Sequence, residues 1–236
     1  MKSYIREKLR ASPLAFGAIG RWREHPDFDR RVVRRGDDLV IEGYPRSGNT
    51  FGMMAFRLAQ PGPLNIGNHF HAPAQILRAA RFGIPAMVVI REPMAAALSL
   101  VVYYQGRVSP ERALEQYVAF HKPLIACTDA YCIAPFKEVV SDYGRSIERL
   151  NAKFGTDFTL YENSLVTDAK TMAAIEKKRL KRLEKSGDVV GSLARKTTPS
   201  AEKDAWKTKY AKSFDAPNIA PLRAAATALF MSLSDA

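Results

Sequence analysis

The sequence predicts an α/β fold of three layers, in which a mostly parallel central sheet is flanked by helices. Two observations lead to this prediction. Short apolar runs of strand length alternate along the chain with longer segments of helical pattern, which is typical of sheets built from strand–helix–strand units. The most strand-like run, residues 85–90, is apolar throughout, as expected of a strand that is covered on both faces in a parallel sheet.

The chain of 236 residues is long enough for one domain with a sizeable core, and we expect a single domain over residues 1–236. Within it, residues 1–37 are a basic N-terminal arm or lid with a short helix at residues 4–10. Residues 39–210 are the core. Residues 216–236 hold a C-terminal helix that docks on the sheet.

Apolar runs and their flanking residues define the individual elements. The segment PGP at residues 61–63 ends the first core helix, and Gly83 and Gly155 fit the ends of two later ones. Residues 187–205 have no regular pattern, so we expect a long loop there. The predicted strands are residues 39–41, 85–90, 131–135 and 157–162, and the predicted helices are residues 51–58, 74–82, 94–104, 110–127, 141–154, 167–185, 200–212 and 221–233.

The composition favours an anionic partner. The formal net charge is +12, which suits a nucleotide, an acidic glycan, an anionic membrane surface or nucleic acid, although surface Lys and Arg kept for solubility explain it equally well. Two cysteines make neither a disulfide framework nor a zinc site, and we expect reduced thiols in a cytoplasmic protein. No apolar run reaches the ~18 residues of a membrane span, but the basic N-terminal segment leaves a peripheral membrane contact open.

The first predicted strand runs into a tight loop and then a helix. The loop, GYPRSGNT at residues 43–50, cannot extend the strand because of its proline and glycines. A strand, a glycine-containing loop and a helix in this order point several backbone N–H groups and a helix N-terminus at an anion. Arg46, Ser47 and Thr50 add a positive charge and two hydroxyl donors. The stretch therefore predicts a phosphate cradle and a P-loop-like topology.

The cradle departs from the nucleotide-binding Walker A loop at one position. Both glycines, Gly43 and Gly48, and the threonine are kept, but Asn49 stands where the lysine that contacts nucleotide phosphates is expected. A nucleotide kinase or NTPase with a degenerate loop is therefore an alternative. A second alternative is a non-enzymatic basic module that binds anions. We expect no nucleic-acid partner, since no nucleic-acid motif is found.

A second cluster of polar residues follows the strand at residues 85–90. Arg91 leaves the end of that strand, and Ser99 lies on the next predicted helix. Ligands in open α/β sheets bind at the carboxyl ends of strands, so Arg91 lies beside the Arg46 loop if the two strands are neighbours. His69 and His71 fall between the two clusters, and a histidine has a pKa near neutrality that suits a general base.

These motifs resemble those of the sulfotransferases that use 3′-phosphoadenosine 5′-phosphosulfate (PAPS). The segment YPRSGNTF at residues 44–51 resembles the loop of that family that binds the 5′-phosphosulfate. Arg91-x-Pro93 followed by Ser99 resembles its 3′-phosphate motif. Tyr161 begins a segment similar to the family's adenine-contacting one, and the pair Arg195-Lys196 resembles the start of its loop over the 3′-phosphate.

The resemblance implies a sulfotransferase with PAPS as sulfuryl donor and no metal. Arg46 is then expected to stabilise the leaving phosphate in an in-line displacement. His71, in a His-x-Pro segment, is the expected base, and His69 is the alternative or orients the acceptor. The acceptor hydroxyl or amine can belong to a small molecule, a lipid or a carbohydrate. The residues implied to bind the donor are Arg46, Ser47, Gly48, Asn49, Thr50, Phe51, Arg91, Ser99, Tyr161, Arg195 and Lys196.

Overall fold

The computed structural model describes residues 2–23, 28–186 and 201–234. The strands are β1 (Leu39–Gly43), β2 (Ile66–Asn68), β3 (Ala86–Ile90) and β4 (Cys132–Pro135). The helices are α1 (Lys2–Ala11), α2 (Pro13–Arg23), α3 (Phe28–Arg31), α4 (Asn49–Ala59), α5 (Pro73–Phe82), α6 (Pro93–Tyr103), α7 (Pro110–His121), α8 (Phe136–Ser141), α9 (Tyr143–Phe154), α10 (Leu165–Ser186), α11 (Ala201–Ala211) and α12 (Ala220–Ser234). Short 3₁₀ helices cover Lys122–Ala130, Lys212–Asp215 and Pro217–Ile219.

The four described strands form one parallel sheet in the order β2-β1-β3-β4. Successive residues of a strand point to opposite faces, and both faces are buried. Val40 and Val88 join a core packed by α5, α6, α7 and α12, while Ile41 and Val89 join a core packed by α4, α8 and α9. The predicted three-layer α/β arrangement with a parallel sheet is therefore confirmed.

The predicted strand at residues 157–162 is wrong. This segment is irregular, because side chains bond its backbone in place of a neighbouring strand. The amide of Asn151 bonds both backbone groups of Phe158, at 2.8 and 3.0 Å, and the amide of Gln60 does the same for Thr159, at 3.0 Å for each bond. The fourth strand is instead β2, which pairs with β1 at the other edge of the sheet.

Two predicted helices are shorter than expected. The helix predicted at residues 110–127 ends at His121 and continues as a 3₁₀ segment that contains Pro123. The helix predicted at residues 141–154 begins at Tyr143, because Asp142 has non-helical backbone angles (φ −156°, ψ 57°) and separates α8 from α9. Of the predicted loop at residues 187–205, residues 187–200 lie outside the described residues and residues 201–205 belong to α11.

The N-terminal segment packs against the part of the chain that follows β2. Phe16 of α2 is fully buried, and its ring lies 5.3 Å from that of Phe28 and 5.4 Å from that of Phe70. The rings of Phe28 and Phe70 are 5.0 Å apart. This aromatic cluster fixes the chain directly between His69 and His71.

Within the ranges described above, no helix combines the length and the apolar character needed to cross a membrane.

Candidate functional site

The candidate site lies where β1 and β3 end side by side. The strand β2, which follows β1 in the chain, pairs with one edge of β1, and β3 pairs with the opposite edge. The strand order therefore reverses between β1 and β3. Open α/β sheets bind ligands at such points, outside the carboxyl ends of the strands. Two segments meet there, which we call the anion loop (residues 44–48) and the histidine turn (residues 69–71).

The anion loop is braced by contacts within the protein. The hydroxyl of Tyr44, which is fully buried, donates to the carbonyl of Ala113 at 2.8 Å. The side-chain N–H of Asn49 donates to the carbonyls of Gly43 (3.2 Å) and Tyr44 (2.8 Å). Asn49 therefore uses its amide N–H groups to hold the loop against the strand.

Two glycines are required by the loop geometry. A Cβ on Gly43 would lie 2.3 Å from the carbonyl oxygen of Val89, so the end of β1 can approach β3 this closely only with glycine. Gly48 precedes α4 with φ 97°, in the left-handed region, and a Cβ there would meet the ring of Phe136 at 2.9 Å. Sequence and packing thus agree on why both glycines are present.

Arg46, Arg91 and Ser99 converge as the strand positions predict. The Nε of Arg46 donates to the hydroxyl oxygen of Ser99 at 3.2 Å, and the Nη1 of Arg91 donates to the carbonyl of Arg46 at 2.9 Å. Each guanidinium also lies over an aromatic ring, Arg46 over Tyr103 at 5.0 Å and Arg91 over Phe136 at 4.2 Å. These contacts orient the two side chains and leave other N–H donors of both without a partner among the described residues.

The two arginines place positive charge in a partly buried setting, where the charge of Glu92 opposes the effect of burial on the pKa of Arg91. Neither forms an ion pair with a described carboxylate. Burial lowers the pKa of both, and the charge of Arg91 lowers the pKa of Arg46 further. Two cations that disfavour each other in a low-dielectric setting are stabilised by an anion bound between them.

Two polar atoms beside the loop are buried and lack a partner. Neither the hydroxyl of Ser47 nor the Oδ1 of Asn49 has a hydrogen-bond partner in the described part of the chain. A buried polar atom without a partner costs about 1–3 kcal/mol, so such atoms are uncommon in folded proteins. Their position at the start of α4 fits a loop that is completed by a bound group.

The histidine turn has an unusual backbone. Among the described residues other than glycine, four have positive φ, and three of them are Arg46 (69°), His69 (62°) and His71 (51°). Such conformations cost about 1–3 kcal/mol each and concentrate at functional sites. Here they lie in the two segments that meet at the end of β1.

Each histidine contacts the first strand–loop–helix unit. The Nε2 of His69 lies 3.1 Å from the hydroxyl of Thr50, and the Nδ1 of His71 lies 2.7 Å from the carbonyl oxygen of Gly43. A carbonyl only accepts, so Nδ1 of His71 carries the proton and Nε2 presents a lone pair. That Nε2 has no partner among the described residues, and the side chain of His71 is 25% exposed.

Burial keeps His71 neutral. It lowers the pKa of His71 to about 4, and the nearby charges of Arg10, Arg46 and Arg31 lower it as well, against the opposing bond to the carbonyl of Gly43. At neutral pH the imidazole is therefore unprotonated and its Nε2 lone pair is available, while the lowered pKa makes it a weaker proton acceptor than an ordinary histidine.

Glu42 is a further residue of the candidate site, not among those predicted from the sequence. It lies on β1 and is fully buried, and its carboxylate accepts the backbone N–H groups of Phe70 (2.7 Å) and His71 (3.0 Å). Burial raises its pKa to about 7, although these two hydrogen bonds oppose the rise. A charged residue between Ile41 and Gly43 in an otherwise apolar strand is the signal that could have identified it.

A cavity of about 350 Å³ opens beside His71. It is lined by Pro45 and Pro73 and by residues of α1 and α7. Arg112 of α7 pairs with Glu7 of α1 and, at 2.7 Å, with Glu115. The remaining lining residues are Arg10, Tyr44, Gln116, Ala119 and Phe120.

Phe51 and Tyr161 lie together beyond the loop. Their rings meet edge to face at 6.2 Å, and the buried hydroxyl of Tyr161 bonds Asp168 (2.9 Å) and Thr171 (2.8 Å) of α10. Tyr161 thus fastens α10 to the core. Arg195 and Lys196, which the family resemblance implies would lie over the 3′-phosphate, are outside the described residues.

Within residues 2–23, 28–186 and 201–234, no group of three His, Cys, Asp or Glu side chains is arranged to hold a metal ion. Compared with known protein families and with curated proteins, the chain matches none of them.

Proposed function

We propose that the protein transfers a sulfuryl group from PAPS to a hydroxyl or amine acceptor, and that its loop and α4 are a P-loop-like phosphosulfate site. One observation carries the proposal. Arg46, Arg91 and Ser99 converge near the ends of two adjacent strands. Among the described residues, no carboxylate pairs with either arginine and none bonds the Nε2 of the neighbouring His71. Binding groups for an anion and a base for an acceptor are thus brought together.

The residues present fit a donor with two phosphate groups. Arg46, the buried hydroxyl of Ser47 and the N-terminus of α4 would hold the 5′-phosphosulfate. Arg91 and Ser99 would hold the 3′-phosphate, for which Ser99 would exchange its bond with Arg46 for one with the donor. When bound, the donor supplies a sulfuryl group whose bond to the 5′-phosphate oxygen breaks as the acceptor oxygen bonds to sulfur. Arg46 offers N–H donors where negative charge develops on that phosphate, which is the kind of stabilisation with the largest effect on such reactions.

His71 is the proposed base. Its Nε2 accepts the proton of the acceptor hydroxyl, and its Nδ1–H keeps its bond to the carbonyl of Gly43, so the ring becomes a cation oriented by the backbone. His69 is bonded to Thr50 at the start of α4, which fits a role in orienting the acceptor or the loop.

The acceptor is proposed to enter through the cavity beside His71. Pro45, Ala119 and Phe120 present apolar surface, while Glu7, Arg10 and Gln116 offer hydrogen-bonding groups. A volume of about 350 Å³ is near the lower end of ligand pockets, which suits a compact acceptor or the end of a longer one.

Two free cysteines, Cys127 and Cys132, support our proposal that the protein is cytoplasmic.

The proposal is tested by incubating the protein with PAPS carrying radiolabelled sulfur and a phenol, an amino sugar or a long-chain alcohol as acceptor. We expect label in at least one acceptor, and loss of that transfer in His71→Gln. Arg81→Ala, an exposed arginine on α5, is the matched control and keeps wild-type transfer. Consumption of ATP with no use of PAPS would overturn the proposal in favour of a kinase or NTPase.

A further inference from the structure

Glu42 is the only carboxylate in the four described strands. It is fully buried at the centre of the sheet, between β2 and β3, where a charged side chain is rare. Burying it requires compensation by hydrogen bonds.

The compensation comes from the histidine turn. Both carboxylate oxygens are used, Oε1 by the N–H of Phe70 at 2.7 Å and Oε2 by the N–H of His71 at 3.0 Å. Successive N–H groups in a turn that contains left-handed residues form a concave anion-binding unit. Residues on both sides of Phe70 are left-handed, so the carboxylate of Glu42 serves as the anion that this turn surrounds.

The carboxylate acts on the backbone and not directly on the imidazole. The Nδ1 of His71 is 3.9 Å from Oε2 of Glu42, whereas it is 2.7 Å from the carbonyl oxygen of Gly43, which is its hydrogen-bond partner. The ring is therefore positioned by two residues in succession on β1: Glu42 holds its backbone, and Gly43 holds its Nδ1.

We propose that Glu42 is a positioning residue, whose carboxylate holds the strained histidine turn so that His69 reaches Thr50 and His71 reaches Gly43. This role rests on the proposed function, in that it supplies the geometry of the proposed base. It predicts that Glu42 affects the chemical step and leaves donor binding alone, because neither Arg46, Arg91 nor Ser99 bonds Glu42.

The decisive variant is Glu42→Gln. The glutamine keeps the length of the side chain but replaces one acceptor oxygen with an NH₂ group, which faces an N–H donor of the turn. We expect kcat for sulfuryl transfer to fall at least tenfold at pH 8, with the KM for PAPS and the Kd for 3′-phosphoadenosine 5′-phosphate within twofold of wild type. We also expect the ring signals of His69 and His71 to shift in the NMR spectrum. Glu176→Gln, which removes a carboxylate from α10 far along the chain, is the control and changes none of these.

The same NMR measurement separates this inference from the proposed function. If the wild type transfers no sulfuryl group, the proposed function fails, but shifted histidine signals in Glu42→Gln still support the positioning role. Unchanged histidine signals and unchanged kcat in a folded Glu42→Gln would overturn it.

A measurement on the wild type decides the matter if Glu42→Gln does not fold. Amide protons bonded to a buried carboxylate exchange slowly with solvent. We expect slow exchange of the amide protons of Phe70 and His71. If these protons exchange as fast as that of Gly62, which lies in an exposed loop, the positioning role is overturned.

Discussion

The anion loop and the histidine turn meet at the end of the same strand but are held by different interactions. The loop is braced by neutral hydrogen bonds from Asn49 and Tyr44, and it carries a cation, Arg46, that pairs with no described carboxylate. The turn is braced by a buried carboxylate, and it carries His71, which burial keeps neutral. The anion loop thus leaves the charge of Arg46 to be met by a ligand. In the histidine turn the charge of Glu42 is directed at backbone N–H groups, and the proposed base, His71, stays neutral.

Removing the base should give the largest effect. In His71→Gln the proton acceptor at Nε2 is lost while the anion loop is untouched, so kcat should fall by about 10²–10⁴ with little change in donor binding. Steady-state kinetics with PAPS as the varied substrate measures this. His69→Gln is the comparison and should lose less. Equal losses in both variants would contradict the assignment of His71 as base.

Removing a cation from the loop should give the next largest effect and should differ in kind. In Arg46→Ala, kcat should fall by about 10²–10³, because a donor aimed at the leaving phosphate is lost. Unlike His71→Gln, it should also weaken the binding of 3′-phosphoadenosine 5′-phosphate, which calorimetry measures. Arg46→Lys should recover part of both losses. An unchanged Kd in Arg46→Ala would contradict the contrast in which the anion loop binds the donor and the histidine turn does not.

The buried carboxylate predicts a particular pH dependence of stability. Burial raises the pKa of Glu42 from 4.5 to about 7, so its favourable contribution is complete below pH 4.5 and is lost as the pH rises through 7. The pKa of His71 is lowered from 6.5 to about 4, so its contribution is complete above pH 6.5 and is lost as the pH falls through 4. As the pH rises in the wild type, the contribution of Glu42 to stability is therefore lost while that of His71 is gained.

Glu42→Gln removes one side of this balance. Relative to the wild type, its free energy of unfolding should therefore rise by about 3 kcal/mol between pH 4.5 and pH 8. This rise is separate from any stability that the substitution removes at all pH values. Urea denaturation of both proteins at several pH values measures the difference. A difference that does not vary with pH would contradict the raised pKa of Glu42.

Filling the cavity beside His71 should give the smallest effect and should leave the anion loop and the histidine turn unchanged. Ala119→Trp adds a large side chain to the wall of α7, so the acceptor's KM should rise about tenfold with the Kd for 3′-phosphoadenosine 5′-phosphate unchanged. Ala80→Trp, at an exposed position of α5, is the matched control. Equal acceptor kinetics in the two variants would place the acceptor elsewhere.

The sequence predicts the anion loop better than the histidine turn, for a physical reason. Arg46 and Arg91 follow apolar strands, and the rule that parallel strands end at one edge brings them together once the two strands are neighbours, as β1 and β3 are. The role of Glu42 depends on a contact with residues 28 and 29 positions later, which no local pattern encodes. The strand β2 was missed because its three residues include Gly67 and Asn68, which carry little strand preference.

The central claim is that Arg46 and Arg91 form a site for a nucleotide with a 3′-phosphate. Calorimetry of 3′-phosphoadenosine 5′-phosphate, with ATP as competitor and with Arg91→Ala and Arg81→Ala as paired variants, tests it most directly. We expect tight binding that ATP does not match, that Arg91→Ala abolishes and that Arg81→Ala leaves intact. No binding, or equal preference for ATP, would contradict the account.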